Sequence, residues 1–182
     1  VAMLDEIFRA AGEKTFVCGN SGSPVTAIAE EAGFDDIAVM EVSSFQLETL
    51  SSLRPHVAIV TNIAEDHLNR HYTMENYIFL KSKILQPMRV CEFAVLNYDD
   101  PAVADMAAAA RCPVRWFSLS EQVEGAYVQG GSIYYCGERV TEVADLSLHG
   151  AHNVKNALAT VCAARLMGVV GDVIPRALAS LR

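Results

Sequence analysis

The chain has 182 residues, with 14 Lys and Arg against 22 Asp and Glu for a formal net charge of −8, and 52% of its residues are hydrophobic. That apolar fraction is enough to order a packed core and excludes extended disorder, while the acidic balance and scattered cations exclude sequence-independent binding of nucleic acid or attraction to acidic membranes. Five cysteines without a CxxC pair exclude a disulfide framework or a zinc knuckle and fit a reducing, cytoplasmic setting.

Val1, Leu4, Ile7, Phe8 and Ala11 repeat with a helical period before Gly12, which predicts an opening helix. This segment has no basic start followed by an apolar stretch, so it is not a signal peptide. No apolar run reaches the roughly 20 residues needed to cross a bilayer. TFVC is the first strand, Gly19 to Pro24 a turn, and residues 25–33 a helix. The runs DIAVME, HVAIVT, EFAVLN and VRWFSL follow, with helices over 74–88 and 100–111 between the later ones. Apolar runs separated by helices describe parallel strands buried on both faces. Between Gly125 and Val143 short alternating segments broken by Gly130, Gly131 and Gly137 predict an antiparallel meander or hairpin, and helices over 152–167 and 173–181 close the chain. The expected fold is therefore α/β, a mostly parallel sheet flanked by helices, in one domain.

Ligands of such sheets sit beyond the carboxyl ends of the strands, so the residues just after each apolar run carry the information. These are Asn20, then Glu41 with Ser43 and Ser44, then Asn62 to His67, and the three groups should meet at one rim. Glu41 directly continues an apolar strand, where a carboxylate is costly unless a cation or several donors compensate it. With Asp66 and His67 it could hold a divalent cation of the magnesium kind, although a strand-end Glu or His is also a common cap or surface ion pair. Lys81 shares the apolar side of its helix with Tyr77, Ile84 and Leu85, whereas Lys83 takes a polar side; the ordinary reading of either is a solvated helix lysine. The backbone of Gly19 to Gly22 is either an anion cradle or a plain turn. His152 or Asn153 is a candidate N-cap, and His56, His71 and His149 read as loop or surface residues. Ser43 and Ser44 lack the context of a nucleophile elbow.

GNSGSP, MEVSSFQLE, TNIAEDHLNRH, YIFLKSKI and GAHNVKNALA, in that order, resemble the Mur ligase family over nearly the whole chain. EVSSFQLE resembles the D-glutamate-adding members, since those that add diaminopimelate or lysine share EVSS but continue with His and Ala. The resemblance implies a P-loop-type central domain spanning residues 1–182, trimmed of its first strand and phosphate loop and of the C-terminal ligase domain, and inactive by itself. It also implies ATP and two magnesium ions as cofactors, UDP-N-acetylmuramoyl-L-alanine and D-glutamate as substrates in peptidoglycan precursor synthesis, and a monomer with no nucleic-acid or membrane partner.

By motif position, Glu41 and His67 match magnesium ligands, and Lys81 matches a lysine that is carbamylated and then helps hold a second ion. These three are the expected catalytic residues. Asn20, Ser43 and Gln46 match positions beside the nucleotide-sugar substrate, and Asn153 and Asn156 match nucleotide-binding asparagines. The sequence departs from the family pattern at Ser21, Glu65, Asn69 and Leu80 without losing a proposed ligand. Another Mur ligase, a relative of folylpolyglutamate synthetase, or a non-catalytic module for a nucleotide-sugar or anion remain alternative readings.

Overall fold

The chain is seen here as a computed structural model that describes residues 1–50, 52–66 and 68–181. Helix α1 (Ala2–Ala10) leads into strand β1 (Thr15–Gly19), the short helix α2 (Val25–Ile28) and strand β2 (Ile37–Glu41). Next come α3 (Ser44–Thr49), β3 (Val57–Val60), α4 (Leu68–His71), α5 (Met74–Ser82), β4 (Phe93–Asn97), α6 (Pro101–Asp105) and β5 (Val114–Ser118). Strands β6 (Gly125–Gln129), β7 (Ser132–Tyr135) and β8 (Glu138–Glu142) precede the long helix α7 (Ala151–Leu166) and α8 (Val173–Ser180). β1 and β2 form a parallel pair, and β3 to β8 form a six-stranded sheet in chain order. That sheet is parallel from β3 through β6 and antiparallel from β6 to β8, so the expected meander is an extension of the parallel sheet.

The uninterrupted apolar runs follow from burial on two faces. Val57, Ile59, Val95 and Phe117 point to one side, where they pack with α1, α7 and α8 through Ile7, Phe8, Leu158 and Leu178. Ala58, Val60, Ala94 and Leu96 point to the other, against Leu85, Met88, Val103 and Met106. Val39 and Ile37 of β2 belong to the first of these clusters, so the two-stranded pair shares its core with the larger sheet. α7 is buried on nearly every side from Val154 to Ala164, and its alanines let it lie close against the strands. In α1 the buried stripe is Met3, Ile7 and Phe8, while Val1 and Ala11 at its ends are exposed.

Three helices differ from the expected bounds. α5 stops at Ser82 because Pro87 disfavours helical geometry at Gln86, and the chain runs on as tight turns such as Leu85 N–H to the Ser82 carbonyl, 3.0 Å. α6 begins sharply, with the Asp100 carboxylate accepting from Ala102 and Val103 N–H at 3.0 and 3.2 Å. It passes into a 3-10 turn over Met106–Ala109, and the extended Ala110 leads through a bend at Arg111 and Cys112 into β5. α2 is a single turn, and the chain leaves it through a turn over residues 29–31. α3 is a helix where none was expected; its signal is the Ser43-x-x-Gln46 capping box.

Gly125 opens β6 at φ 150° opposite Trp116, and a Cβ there would collide with the Trp116 carbonyl oxygen. The collision is with backbone, which cannot rotate aside. Gly125→Ala should therefore lower stability by about 3 kcal/mol or more in urea unfolding; a loss under about 1 kcal/mol would show that the β5 to β6 junction can shift.

Candidate active site

The carboxyl ends of β1 and β2 are drawn tightly together. Gly19 lies in register with Glu41, and only a glycine fits there, because its φ is 104° and a Cβ would strike the Glu41 carbonyl oxygen. Asn20 N–H donates to that carbonyl at 2.8 Å, and the Asn20 side-chain amide donates to Glu41 Oε1 at 2.7 Å. Glu41 is half-buried, and the asparagine satisfies one carboxylate oxygen and sets its direction. The rest of the glycine turn folds back on its own strand, with Gly19 N–H donating to the Ser23 carbonyl and Ser23 N–H to the Val17 carbonyl. The N–H groups of Gly19, Asn20 and Ser23 are thus already committed to the turn itself.

Across the mouth stands Lys81, in the last turn of α5 and half-buried. Burial pushes its amine below the ordinary lysine value of 10.5, while the negative charges of Asp66 and Glu41 act in the opposite direction. Asn20, Glu41, Asp66 and Lys81, which come from four separate segments, therefore share one electrostatic site. Tyr77 lies one turn earlier on α5, with the Lys81 Nζ 5.7 Å from its ring centre. Burial, then the Asp66 charge, raises the Tyr77 hydroxyl above its ordinary value, which leaves it a neutral donor and acceptor.

His71 is the residue that sequence reasoning placed wrongly. Expected at the surface, it is 1% exposed, with Nε2 2.9 Å from the Ser44 hydroxyl and Nδ1 3.6 Å from the Glu48 carboxylate. Its ring is stacked between Phe45 at 5.2 Å and Tyr77 at 5.3 Å. One imidazole thus joins α3, α4 and α5 and sets the tyrosine on which Lys81 rests. Spacing gave no hint of this, because its partners lie 27 and 23 residues back and six ahead. Lys83, expected on a polar face, instead donates to the Leu47 and Glu48 carbonyls, the second at 2.9 Å, and closes the end of α3.

Ser43 and Gln46 serve the start of that helix. Ser43 N–H and its hydroxyl donate to Gln46 Oε1 at 2.9 and 3.1 Å, and Gln46 N–H donates back to the hydroxyl at 3.3 Å. The cap leaves the Gln46 amide nitrogen for other uses. Asn153 and Asn156 lie in the first two turns of α7, where Gly150 rather than His152 or Asn153 takes the N-cap position. The Asn153 amide donates to the His149 carbonyl at 2.9 Å. Neither asparagine bonds to the Glu41 cluster; their neighbour Lys155 instead acts on Asp99, beyond the end of β4. His56 and His149 are exposed, as expected.

His67 lies outside the described residues. Among those described, no three His, Cys, Asp or Glu side chains gather as a ready metal site. The donor chemistry present is nevertheless that of a hard cation, since the carboxylates of Glu41 and Asp66 lie near enough to Lys81 for their charges to act on its amine.

The comparisons identify the family. Residues 2–164 match the model of the Mur ligase middle domain. Two relatives named UDP-N-acetylmuramoylalanine--D-glutamate ligase are similar over most of the chain. The one from Caldanaerobacter subterraneus subsp. tengcongensis is 42% identical over 182 residues, covering 100% of this chain and 40% of the relative. The one from Pelotomaculum thermopropionicum is 47% identical over 172 residues, covering 92% of this chain and 38% of the relative. The chain thus spans about 40% of the length of these relatives. A solved UDP-N-acetylmuramoyl-L-alanyl-D-glutamate--2,6-diaminopimelate ligase superposes over 99% of this chain and 43% of its own, with a TM-score of 0.80 at 20% identity, a likeness of fold alone. A match over nearly the whole chain, on the sheet that gathers Asn20, Glu41 and Lys81, places it by its middle domain in the Mur ligase family.

Proposed function

We propose that this chain is the central catalytic portion of a D-glutamate-adding Mur ligase, which joins D-glutamate to UDP-N-acetylmuramoyl-L-alanine at the expense of ATP. The observation that carries the reading is the half-buried Lys81 within electrostatic reach of the carboxylates of Glu41 and Asp66. In such a reaction the terminal phosphoryl group of ATP passes to the substrate carboxylate, giving an acyl phosphate and ADP. The amine of D-glutamate then forms the amide bond as phosphate leaves, and an amine proton is released.

In this reading the protein contributes positioning and charge rather than covalent chemistry. Glu41, His67 and a carbamylated Lys81 would hold two magnesium ions, and Asn20 aims the Glu41 carboxylate toward them. Magnesium, when bound, neutralises phosphate and carboxylate oxygens that would otherwise repel one another. Gln46 would reach the nucleotide-sugar through the amide nitrogen that the cap leaves over, with Ser43 beside it, and Asn153 and Asn156 would face the nucleotide. A module that merely binds anions is less well supported, because the N–H groups of Gly19 and Asn20 are already used within the sheet and its turn.

The chemistry of Lys81 follows from its surroundings. Only the neutral amine attacks carbon dioxide; the new N–C bond forms as a C–O π bond opens, and the amine proton goes to solvent. Burial favours the neutral form, so the depressed folded value extends carbamate formation to lower pH than an exposed lysine allows. The sign for stability is the same. The contribution from Lys81 is fully present above the unfolded value of 10.5 and is lost as pH falls through the lower folded value.

With 13C-bicarbonate the protein should show a carbamate carbonyl resonance that Lys81→Ala removes, and it should persist at lower pH than a carbamate on an exposed lysine. A resonance unchanged in that variant would place the modification elsewhere. In a complete ligase carrying this domain, Glu41→Ala should reduce phosphate release by roughly 100-fold or more with the fold intact. Asn20→Ala, which frees the carboxylate without removing it, should cost less. Near-normal turnover of Glu41→Ala would defeat the assignment.

A further inference from the structure

A cavity of about 580 Å3 opens at the end of the sheet opposite to the Glu41 and Lys81 site. Its walls come from the segments that enter three neighbouring parallel strands: Ser52 and Arg54 before β3, Gln86 and Arg89 before β4, and Arg111 before β5. The volume is that of a small-molecule site, for which about 300–1,000 Å3 is usual. In a chain of net charge −8, this cavity has three guanidinium groups on its lining and no carboxylate.

One buried acid organises that wall from behind. Glu92, 3% exposed, pairs through Oε1 with Arg54 Nε at 2.8 Å and accepts Arg89 N–H on Oε2 at 2.6 Å. It balances the charge of Arg54 and pins the backbone that carries Arg89, yet it does not itself line the cavity. Among the described residues no carboxylate pairs with the side chain of Arg89 or Arg111. Two exposed guanidinium groups, without a carboxylate partner among the described residues, remain around one space, with Ser52 and Gln86 beside them.

We propose that this cavity binds a phosphate or pyrophosphate group. Like charges around a shared cavity repel, and an oxyanion between them replaces repulsion with charge-assisted hydrogen bonds. Arginine suits this task because its fixed fork of donors matches the oxygens of a phosphoryl group. A single phosphate meets two free charges, and a pyrophosphate can reach the half-neutralised Arg54 as well. The site lies away from the mouth where the proposed ligase chemistry takes place, so it does not depend on that reading.

Isothermal titration of the chain with inorganic pyrophosphate and, separately, with ADP tests this, with EDTA present to silence metal-dependent binding at the mouth. Arg89→Ala and Arg111→Ala should each weaken pyrophosphate by about tenfold, the double variant should abolish it, and Lys81→Ala should leave it unchanged. Arg89→Lys and Arg111→Lys, which keep the charge, should retain part of the affinity and separate a lost contact from a lost fold. Equal affinity for the two ligands marks a site for the free anion, and tighter ADP marks a nucleotide's diphosphate; either outcome upholds the proposal. No binding by the unaltered chain, or binding lost with Lys81 and kept in the double arginine variant, overturns it.

Discussion

A lysine amine withdrawn from water and set against two carboxylates is the constraint on which this molecule turns. Burial favours the neutral amine, and the fields of Asp66 and Glu41 favour the ammonium; the balance falls on the side of burial. The result is an amine closer to its reactive form than a surface lysine, placed where negative charge already gathers. Converted to a carbamate it would add a further anion, and the three acidic groups together would demand a divalent cation. In the proposed function, that single modification would turn an internally balanced cluster into a metal-binding one.

Holding that balance requires rigidity from the helices packed around Lys81. Lys81 sits on Tyr77, Tyr77 is stacked on His71, and His71 is stacked in turn on Phe45 while it meets Ser44 and Glu48. Short helices are weak by themselves, and α3 has only six residues. It stands because a capping box closes its first turn, Lys83 closes its last, and His71 packs along it. On the facing side, the paired ends of β1 and β2 leave Glu41 little freedom, since Asn20 holds both its backbone and its carboxylate.

The two ends of the sheet carry opposite chemistry. At the strand ends acids converge on a lysine; at the strand beginnings arginines converge around a cavity whose one nearby acid is turned behind the wall. The basic residues that look scattered along the sequence are thus partly gathered in space. Arg54, Arg89 and Arg111 are far apart in the chain, but parallel strands start at the same end of a sheet, and each arginine precedes a strand.

Strand positions, the α/β class and the strand-end residues Asn20 and Glu41 were legible because they depend on local order: apolar runs, their spacing, and polar residues directly after them; Lys81, on a helix, read locally as an ordinary lysine and stood out only through the family resemblance. The capping box of α3 was equally local and could have been read. What only the tertiary structure decided was partnership across segments. His71 is buried because α3 and α5 close over it, Lys83 turns inward because α3 ends beside it, and the arginine cavity exists because three strand entrances are neighbours. A sequence prescribes the period of each element and the chemistry at its ends; which side chains meet depends on how distant elements pack, and burial and charge are properties of that packing.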